Sequence, residues 1–214
     1  VTKINEPGFE LSDAVMSDVK TALGELDLKN SWVVFAGALN PDADPLTYNK
    51  LATYVRSLGA KVAIDTSGEE LKAAIEIAPD LIKPNQHELS ELVGRHLITI
   101  ADIVAAAREV LAQGVGAIVC SLGADGALFI DSQTVVHAEP QNPVVGVPVG
   151  AGDILLATFI AGGANADALA NAVAWSAASV PLEGTAIPTA QQAAAVKVNV
   201  NSSFDATRSL VEVS

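Results

Sequence analysis

The sequence predicts an α/β fold built on a mostly parallel sheet with an antiparallel edge. Three observations carry that expectation. As far as Cys120, short apolar runs bounded by turn residues alternate with segments of helical period, the signature of βαβ units. The runs are continuously apolar rather than alternating, as strands of a parallel sheet covered on both faces are. Beyond Ser121 the pattern changes to two short strand-like runs joined through glycine- and aspartate-bearing turns, which reads as a hairpin added to the sheet.

Each element follows from its residues. Val1 to Glu6 reads as a short strand, broken by Pro7-Gly8. Ser12 caps a helix that places Val15, Val19, Ala22, Leu23 and Leu26 at helical spacing. Trp32-Val33-Val34-Phe35 is a strand, and Asn40 to Pro45 is loop. A helix from about Leu46 carries Leu51, Ala52, Val55 and Leu58 on one face, with Gly59 as its stop. Lys61 to Asp65 is a strand, Glu69 to Ala78 a helix, and Leu81-Ile82-Lys83 a strand. Asn85 to Val93 and Ala101 to Leu111 are helices, the second capped by Thr99. Val115 to Ser121, Ala127 to Ile130 and Thr134 to His137 are strands, followed by helices over Ala151 to Ala161 and Asp167 to Ser179. Pro181, Gly184 and Pro188 punctuate the next stretch, and the tail holds two β-like runs, Lys197 to Val200 and Leu210 to Val213. No linker or repeat interrupts the chain, which predicts one domain over 1–214.

Composition narrows the function. The chain has 214 residues, half of them apolar and 4% aromatic, enough for a sizeable core. Its net charge is −13 with only 12 basic residues, which disfavours nucleic acid and anionic membrane surfaces as partners. The lone Cys120 lies in an apolar run and excludes an intrachain disulfide; it reads as a buried small hydrophobe. No apolar run is long enough to span a bilayer. The chain starts at Val1, without methionine and directly in strand-like sequence, which predicts that its true N-terminus lies upstream.

The stretch richest in chemistry is Pro148-Val149-Gly150-Ala151-Gly152-Asp153, a glycine turn that opens into an apolar helix. Backbone N–H groups at a helix start, together with the positive end of the helix dipole, form a site for anionic oxygen. Glycines let a phosphate approach the backbone closely. Asp153 adds a carboxylate beside that anion site, a pairing suited to moving a phosphoryl group onto a hydroxyl. A plain glycine turn with an acidic first-turn residue fits the same residues. Asp65-Thr66-Ser67-Gly68 ends a strand where open α/β sheets place ligands, or caps a helix. Lys83-Pro84-Asn85-Gln86-His87-Glu88 joins an ammonium, an amide and a carboxylate at another strand-to-helix corner. Asn85 and Glu88, three apart, can reach one hydrated Mg²⁺, or form a capping box. Ser121-Leu122-Gly123-Ala124-Asp125-Gly126 offers bare backbone to a nucleotide, or makes a hairpin turn.

In this order, together with Thr2-Lys3-Ile4-Asn5-Glu6-Pro7-Gly8, these motifs resemble the ribokinase-like (PfkB-type) carbohydrate kinases, nearest the 1-phosphofructokinase branch and next the tagatose-6-phosphate kinases. The resemblance runs from Val1 to about Pro188. It implies a three-layer ribokinase-like fold lacking its N-terminal third, which carries much of the sugar site and the β-sheet lid. It implies Asp153 as catalytic base, also contacting the sugar, and Gly150, Ala151 and Gly152 as the anion hole. Lys83, Asn85 and Glu88 would lie at the ATP phosphates, with Asn85 and Glu88 organising Mg²⁺ through water. Ser121, Gly123 and Gly126 would line the nucleotide site, and Gly37 the sugar site. A cytoplasmic enzyme, homodimeric when complete and using ATP and Mg²⁺, is what the resemblance implies. Its reaction would convert fructose 1-phosphate to fructose 1,6-bisphosphate.

The chain departs from the family pattern at Ala36-Gly37-Ala38-Leu39-Asn40, where Ser-Gly-Ser-Leu-Pro is usual, so two hydroxyls that could bind a sugar phosphate are missing. Their loss favours, as the alternative within the class, a kinase for an unphosphorylated sugar or a nucleoside, while the resemblance also leaves tagatose 6-phosphate open. A catalytically silent sugar- or nucleotide-binding module is the alternative outside it, opposed by the intact Asp153, Asn85 and Glu88. No strand is followed by G-x-G-x-x-G with an acid about 20 residues on, and no G-x-x-x-x-G-K-[ST] occurs, which disfavours dinucleotide oxidoreductases and P-loop kinases. His87, His96 and His137 are too scattered to suggest a metal site.

Overall fold

The computed structural model describes residues 11–40, 43–203 and 205–210. The expected strand at Val1 to Glu6 and the motif Thr2 to Gly8 lie outside these residues, as do Pro41 and Asp42 and all but Leu210 of the run Leu210 to Val213.

Among the described residues seven strands form one sheet in sequence order: β1 (Trp32–Ala36), β2 (Lys61–Asp65), β3 (Leu81–Ile82), β4 (Ala117–Ser121), β5 (Ala127–Asp131), β6 (Val135–Pro140) and β7 (Val198–Asn201). The first four are parallel, with Trp32 opposite Lys61 and Ile82 opposite Ile118. From β4 onward each pair is antiparallel, with Val119 opposite Phe129 and Ala138 opposite Val200. The switch in pattern after Ser121 thus marks the change from crossover to hairpin connections.

Helices cover the sheet in two layers. On one face α2 (Thr47–Ser57), α3 (Gly68–Ile75), α4 (Gln86–Val93) and α5 (Ile100–Leu111) pack their apolar residues on Val62, Ile64, Ile82, Ile118 and Cys120. There α1 (Asp13–Gly24) is peripheral, adding Met16 and Leu23 at the rim of the same cluster. On the other face α6 (Ala151–Ala161) and α7 (Leu169–Ser179) bury Leu155, Phe159, Leu169 and Val173 against Ala63, Leu81, Val119 and Phe129. A short helix, α8 (Ala190–Ala195), precedes β7. Because β2 to β5 are covered on both sides, their sequences are almost wholly apolar.

Two expectations need correction. The strand β1 is covered fully on one face and only in part on the other. Phe35 is buried and Trp32 packs against the α6–α7 cluster, whereas Val34 is 42% exposed; among the described residues β1 is the outermost strand on its side of the sheet. The helix expected over Glu69 to Ala78 stops at Ile75. Arg56 on α2 reaches across to bond the Ile77 and Ala78 carbonyls, and Ala78, which precedes a proline, adopts φ +49°. The segment Gly123 to Gly126 makes the expected hairpin connection between β4 and β5, through a 3₁₀ turn over Gly123–Asp125 closed by Leu122 N–H donating to the Gly126 carbonyl, 2.8 Å.

Candidate active site

The residues singled out in the sequence gather at one edge of the sheet, where the parallel strands end. Open α/β sheets present their ligand crevice there. Gly37 follows β1, Asp65 ends β2, Lys83 follows β3, and Ser121 ends β4. Adjacent strand ends are tied directly: Gly37 N–H donates to the Asp65 carbonyl at 2.9 Å, and Lys83 N–H to the Ile64 carbonyl at 3.0 Å. Ser121 N–H donates to the Pro84 carbonyl at 3.0 Å, and Asn85 bridges Ser121 in parallel fashion.

At the centre, the Lys83 Nζ lies 3.1 Å from Asp65 Oδ1, with only 6% and 15% of the two side chains exposed. An ammonium this deeply buried needs such a partner. Burial pushes the Asp65 carboxyl above its ordinary value; Lys83 opposes this, and the charge of Asp153 adds to it. Asp153 therefore stands close enough to Asp65 to be felt, although its own side chain is exposed.

The first turn of α6 closes over this pair. Gly150, its N-cap, holds φ +79°, a conformation glycine adopts without strain. A methyl placed on Gly152 would sit 3.1 Å from Lys83 Nζ, so bare backbone lies against the ammonium. The Ser176 hydroxyl on α7 donates to the Ala151 carbonyl at 2.9 Å and holds the turn to the helix layer. Of the residues expected to form an anion hole, Ala151 does not offer its N–H, which donates to the Pro148 carbonyl at 3.2 Å. The N–H groups of Gly150, Gly152 and Asp153 have no acceptor among the described residues. Unpaired donors, a helix start and an adjoining ammonium together favour an anion.

Asn85 and Glu88 form the capping box. Asn85 Oδ1 accepts the Glu88 N–H and Glu88 Oε2 accepts the Asn85 N–H, both at 2.8 Å. The Asn85 oxygen is thereby committed, which does not suit it as a direct metal ligand; Glu88 Oε1 makes no hydrogen bond among the described residues. Burial raises the Glu88 carboxyl above its ordinary value, opposed first by the Asn85 N–H and then by Lys83. Among the described residues no group of three or more His, Cys, Asp or Glu could hold a metal ion, so a cation here would rest on Glu88 through water and on phosphate oxygens.

The Ser121–Gly126 segment borders Asn85 on its other side. Gly126 is held at φ +80° with its α-carbon pressed on β6: a methyl there would lie 2.0 Å from the Ala138 carbonyl oxygen. Cys120, just inside, is fully buried, and burial pushes its thiol up to about 12.

Sequence reasoning placed Asp65 at a ligand-bearing strand end, or at a helix cap, but did not pair it with Lys83. The signal was present in Lys83, whose ammonium, in the apolar run Leu81-Ile82-Lys83, requires a buried carboxylate nearby. Gly37 lies one strand away from that pair. Its carbonyl accepts from Thr66 Oγ1 at 2.9 Å and Tyr48 Oη at 3.1 Å, which fixes the loop it opens.

Comparison with known proteins places the chain in a family. The chain is 37% identical over 161 residues to 1-phosphofructokinase of Rhodobacter capsulatus, covering 75% of this chain and 51% of that protein. It is 35% identical over 164 residues to 1-phosphofructokinase of Bacillus subtilis, covering 75% of this chain and 53% of that one. The chain thus spans about half the length of the curated relatives it matches. Among solved structures, phosphofructokinase-2 from Escherichia coli in complex with substrates and products superposes with a TM-score of 0.81 at 28% identity, covering 89% of this chain and 63% of that one. Residues 13–192 match the family described as pfkB family carbohydrate kinase, and they include every strand-end residue, glycine turn and helix start described above: the chain belongs to the pfkB family of carbohydrate kinases.

Proposed function

We propose that the chain is one ribokinase-like kinase domain that performs the phosphoryl-transfer step of an ATP-dependent sugar-phosphate kinase, with fructose 1-phosphate as acceptor and fructose 1,6-bisphosphate as product. The observation that carries this reading is the set of unpaired N–H groups at the start of α6, flanked by Asp153 and by the buried Lys83–Asp65 pair. In the transfer, the sugar oxygen bonds to the terminal phosphorus of ATP as the bond to ADP breaks. The N–H groups of Gly150 and Gly152 receive the charge of the transferring group, and Lys83 adds a cation behind them. Asp153 orients the sugar hydroxyl and takes its proton late, since the transition state is loose. Mg²⁺ would balance the phosphate charge, with Glu88 reaching it through water. Ser121, Gly123 and Gly126 would lie under the nucleotide, and Gly37 beside the sugar.

The chain's curated relatives are named 1-phosphofructokinase, which supports this acceptor. One observation favours a second: Ala36 and Ala38 are exposed on either side of Gly37 and offer methyl groups where hydroxyls would meet a sugar phosphate. That favours another sugar or sugar phosphate. Phosphofructokinase-2 from Escherichia coli has been solved with fructose-6-phosphate and in a tetrameric form; a symmetric oligomer, a homodimer first, is proposed here too.

A coupled ADP-release assay on the protein as encoded, offered fructose 1-phosphate, fructose 6-phosphate, tagatose 6-phosphate and fructose, tests the acceptor. Preference for fructose 1-phosphate is expected, and turnover on fructose alone would move the assignment to the unphosphorylated-sugar reading. Asp153→Asn should lower turnover by about a hundredfold or more while ATP affinity changes only a few-fold. Near-normal turnover in that variant would remove the acid from the chemistry.

A further inference from the structure

The tail of the chain reaches the nucleotide turn. Residues 205–210 lie against the start of α5: Ala101 N–H donates to the Ala206 carbonyl and Leu210 N–H to the Ile98 carbonyl, both at 2.8 Å, while Thr99 bridges Ser209. These bonds seat Arg208 between two acids of different elements. Its guanidinium donates to Asp125 Oδ1 at 3.0 Å and to Glu139 Oε2 at 2.8 Å. Asp125 ends the 3₁₀ turn of Ser121–Gly126, and Glu139 lies on β6. The side chains are 35%, 14% and 20% exposed for arginine, aspartate and glutamate. The Arg208 Nε is buried without a partner, so the two terminal nitrogens make the side chain's hydrogen bonds among the described residues. On the inner side, the Asp125 carbonyl meets the buried His137 Nε2 at 2.7 Å, and Gly126 is wedged against the Ala138 carbonyl.

We propose that Arg208 is a positioning residue for the nucleotide-binding turn. The inference rests on the reading of Ser121–Gly126 as nucleotide-contacting. The turn is gripped from two sides: β6 and His137 prevent its retreat into the sheet, and Arg208 prevents its lifting away. A planar guanidinium suits this task because its two terminal nitrogens donate along fixed directions to two separate carboxylates. The fork fixes Asp125 relative to β6, and through Asp125 the backbone of Gly123 and Gly126. It also neutralises two acids beside the turn in a protein of net charge −13.

Hydrogen exchange and calorimetric titration with ATP and Mg²⁺, on the chain and its R208A and R208K variants, test the proposal. R208A should speed exchange at the amides of residues 121–126, leave the first turn of α6 unchanged, and weaken ATP binding about tenfold, the scale of lost charge-assisted hydrogen bonds. R208K, which keeps the charge and loses the fork, should recover less than half of that loss, and serves as the readout should R208A fail to fold. Unchanged exchange at the turn in a folded variant would overturn the clamp. Faster exchange with wild-type ATP affinity, or full recovery in R208K, would overturn the positioning role. Failure of the unmodified chain to bind ATP would instead strike the nucleotide reading of the turn, while the exchange data would still report whether Arg208 holds it.

Discussion

Gly152→Ala separates the fold's need for glycine from the site's need. Gly152 occupies the first turn of α6 and is not among the glycines held at positive φ, so an alanine can adopt its backbone. Alanine in a helix is favoured over glycine by up to about 1 kcal/mol. The added methyl would meet Lys83 Nζ at 3.1 Å and Cε at 3.6 Å, the far end of a side chain that can shift by a few tenths of an ångström. That shift loosens the 3.1 Å contact with Asp65 and offsets most of the gain, so net stability should change by less than about 1 kcal/mol, a few degrees in Tm at most. Anion binding has no such compensation, because the methyl covers backbone that a phosphate must approach. ATP affinity should fall by about tenfold or more, equivalent to about 1.4 kcal/mol or more. Thermal melts paired with calorimetric titration of ATP and Mg²⁺ make the comparison. A variant that melts normally and binds ATP normally would refute the placing of phosphate at this helix start.

Other outcomes rest on the same contacts. Lys83→Met should cost about 3–5 kcal/mol by stranding the Asp65 carboxylate in a buried site, and pairing it with Asp65→Asn should recover most of the loss in urea denaturation. Gly126→Ala should destabilise far more than Gly94→Ala. Both glycines hold positive φ, but only the former would drive a methyl to 2.0 Å from a backbone oxygen, whereas the latter meets nothing within 4 Å; melting curves of the two rank them. Glu88 has its carboxyl raised above the ordinary 4.5, burial being the main cause, so the folded state binds its proton more tightly than the unfolded state. Its contribution to stability is therefore greatest below 4.5 and falls as pH rises through the raised value. Glu88→Gln should accordingly gain on the unmodified protein as pH rises above 4.5 in thermal melts; a difference that stays constant on crossing 4.5 and beyond would contradict the burial argument.

The succession of elements was legible in the sequence because local chemistry decides it. Helical spacing of Leu51, Ala52 and Val55, the caps at Ser12 and Thr99, and the apolar runs Lys61 to Asp65 and Ala117 to Ser121 each act within a few residues. The same holds for the glycine turn before α6, since an anion site at a helix start is made by consecutive N–H groups. Only the tertiary structure decided matters that join distant segments. Among the described residues it left β1 outermost and open over Val34, because coverage depends on helices more than a hundred residues away. It ended α3 early through Arg56, a side chain of another helix. It chose the capping box for Asn85 and Glu88, a choice their spacing alone left open. It also paired Lys83 with Asp65 beneath Gly152, and brought Arg208 from the tail onto Asp125. The physical reason is the same in each case. Buried charges and strand edges are satisfied by whatever the folded chain brings near, and local spacing carries no record of which partner that is.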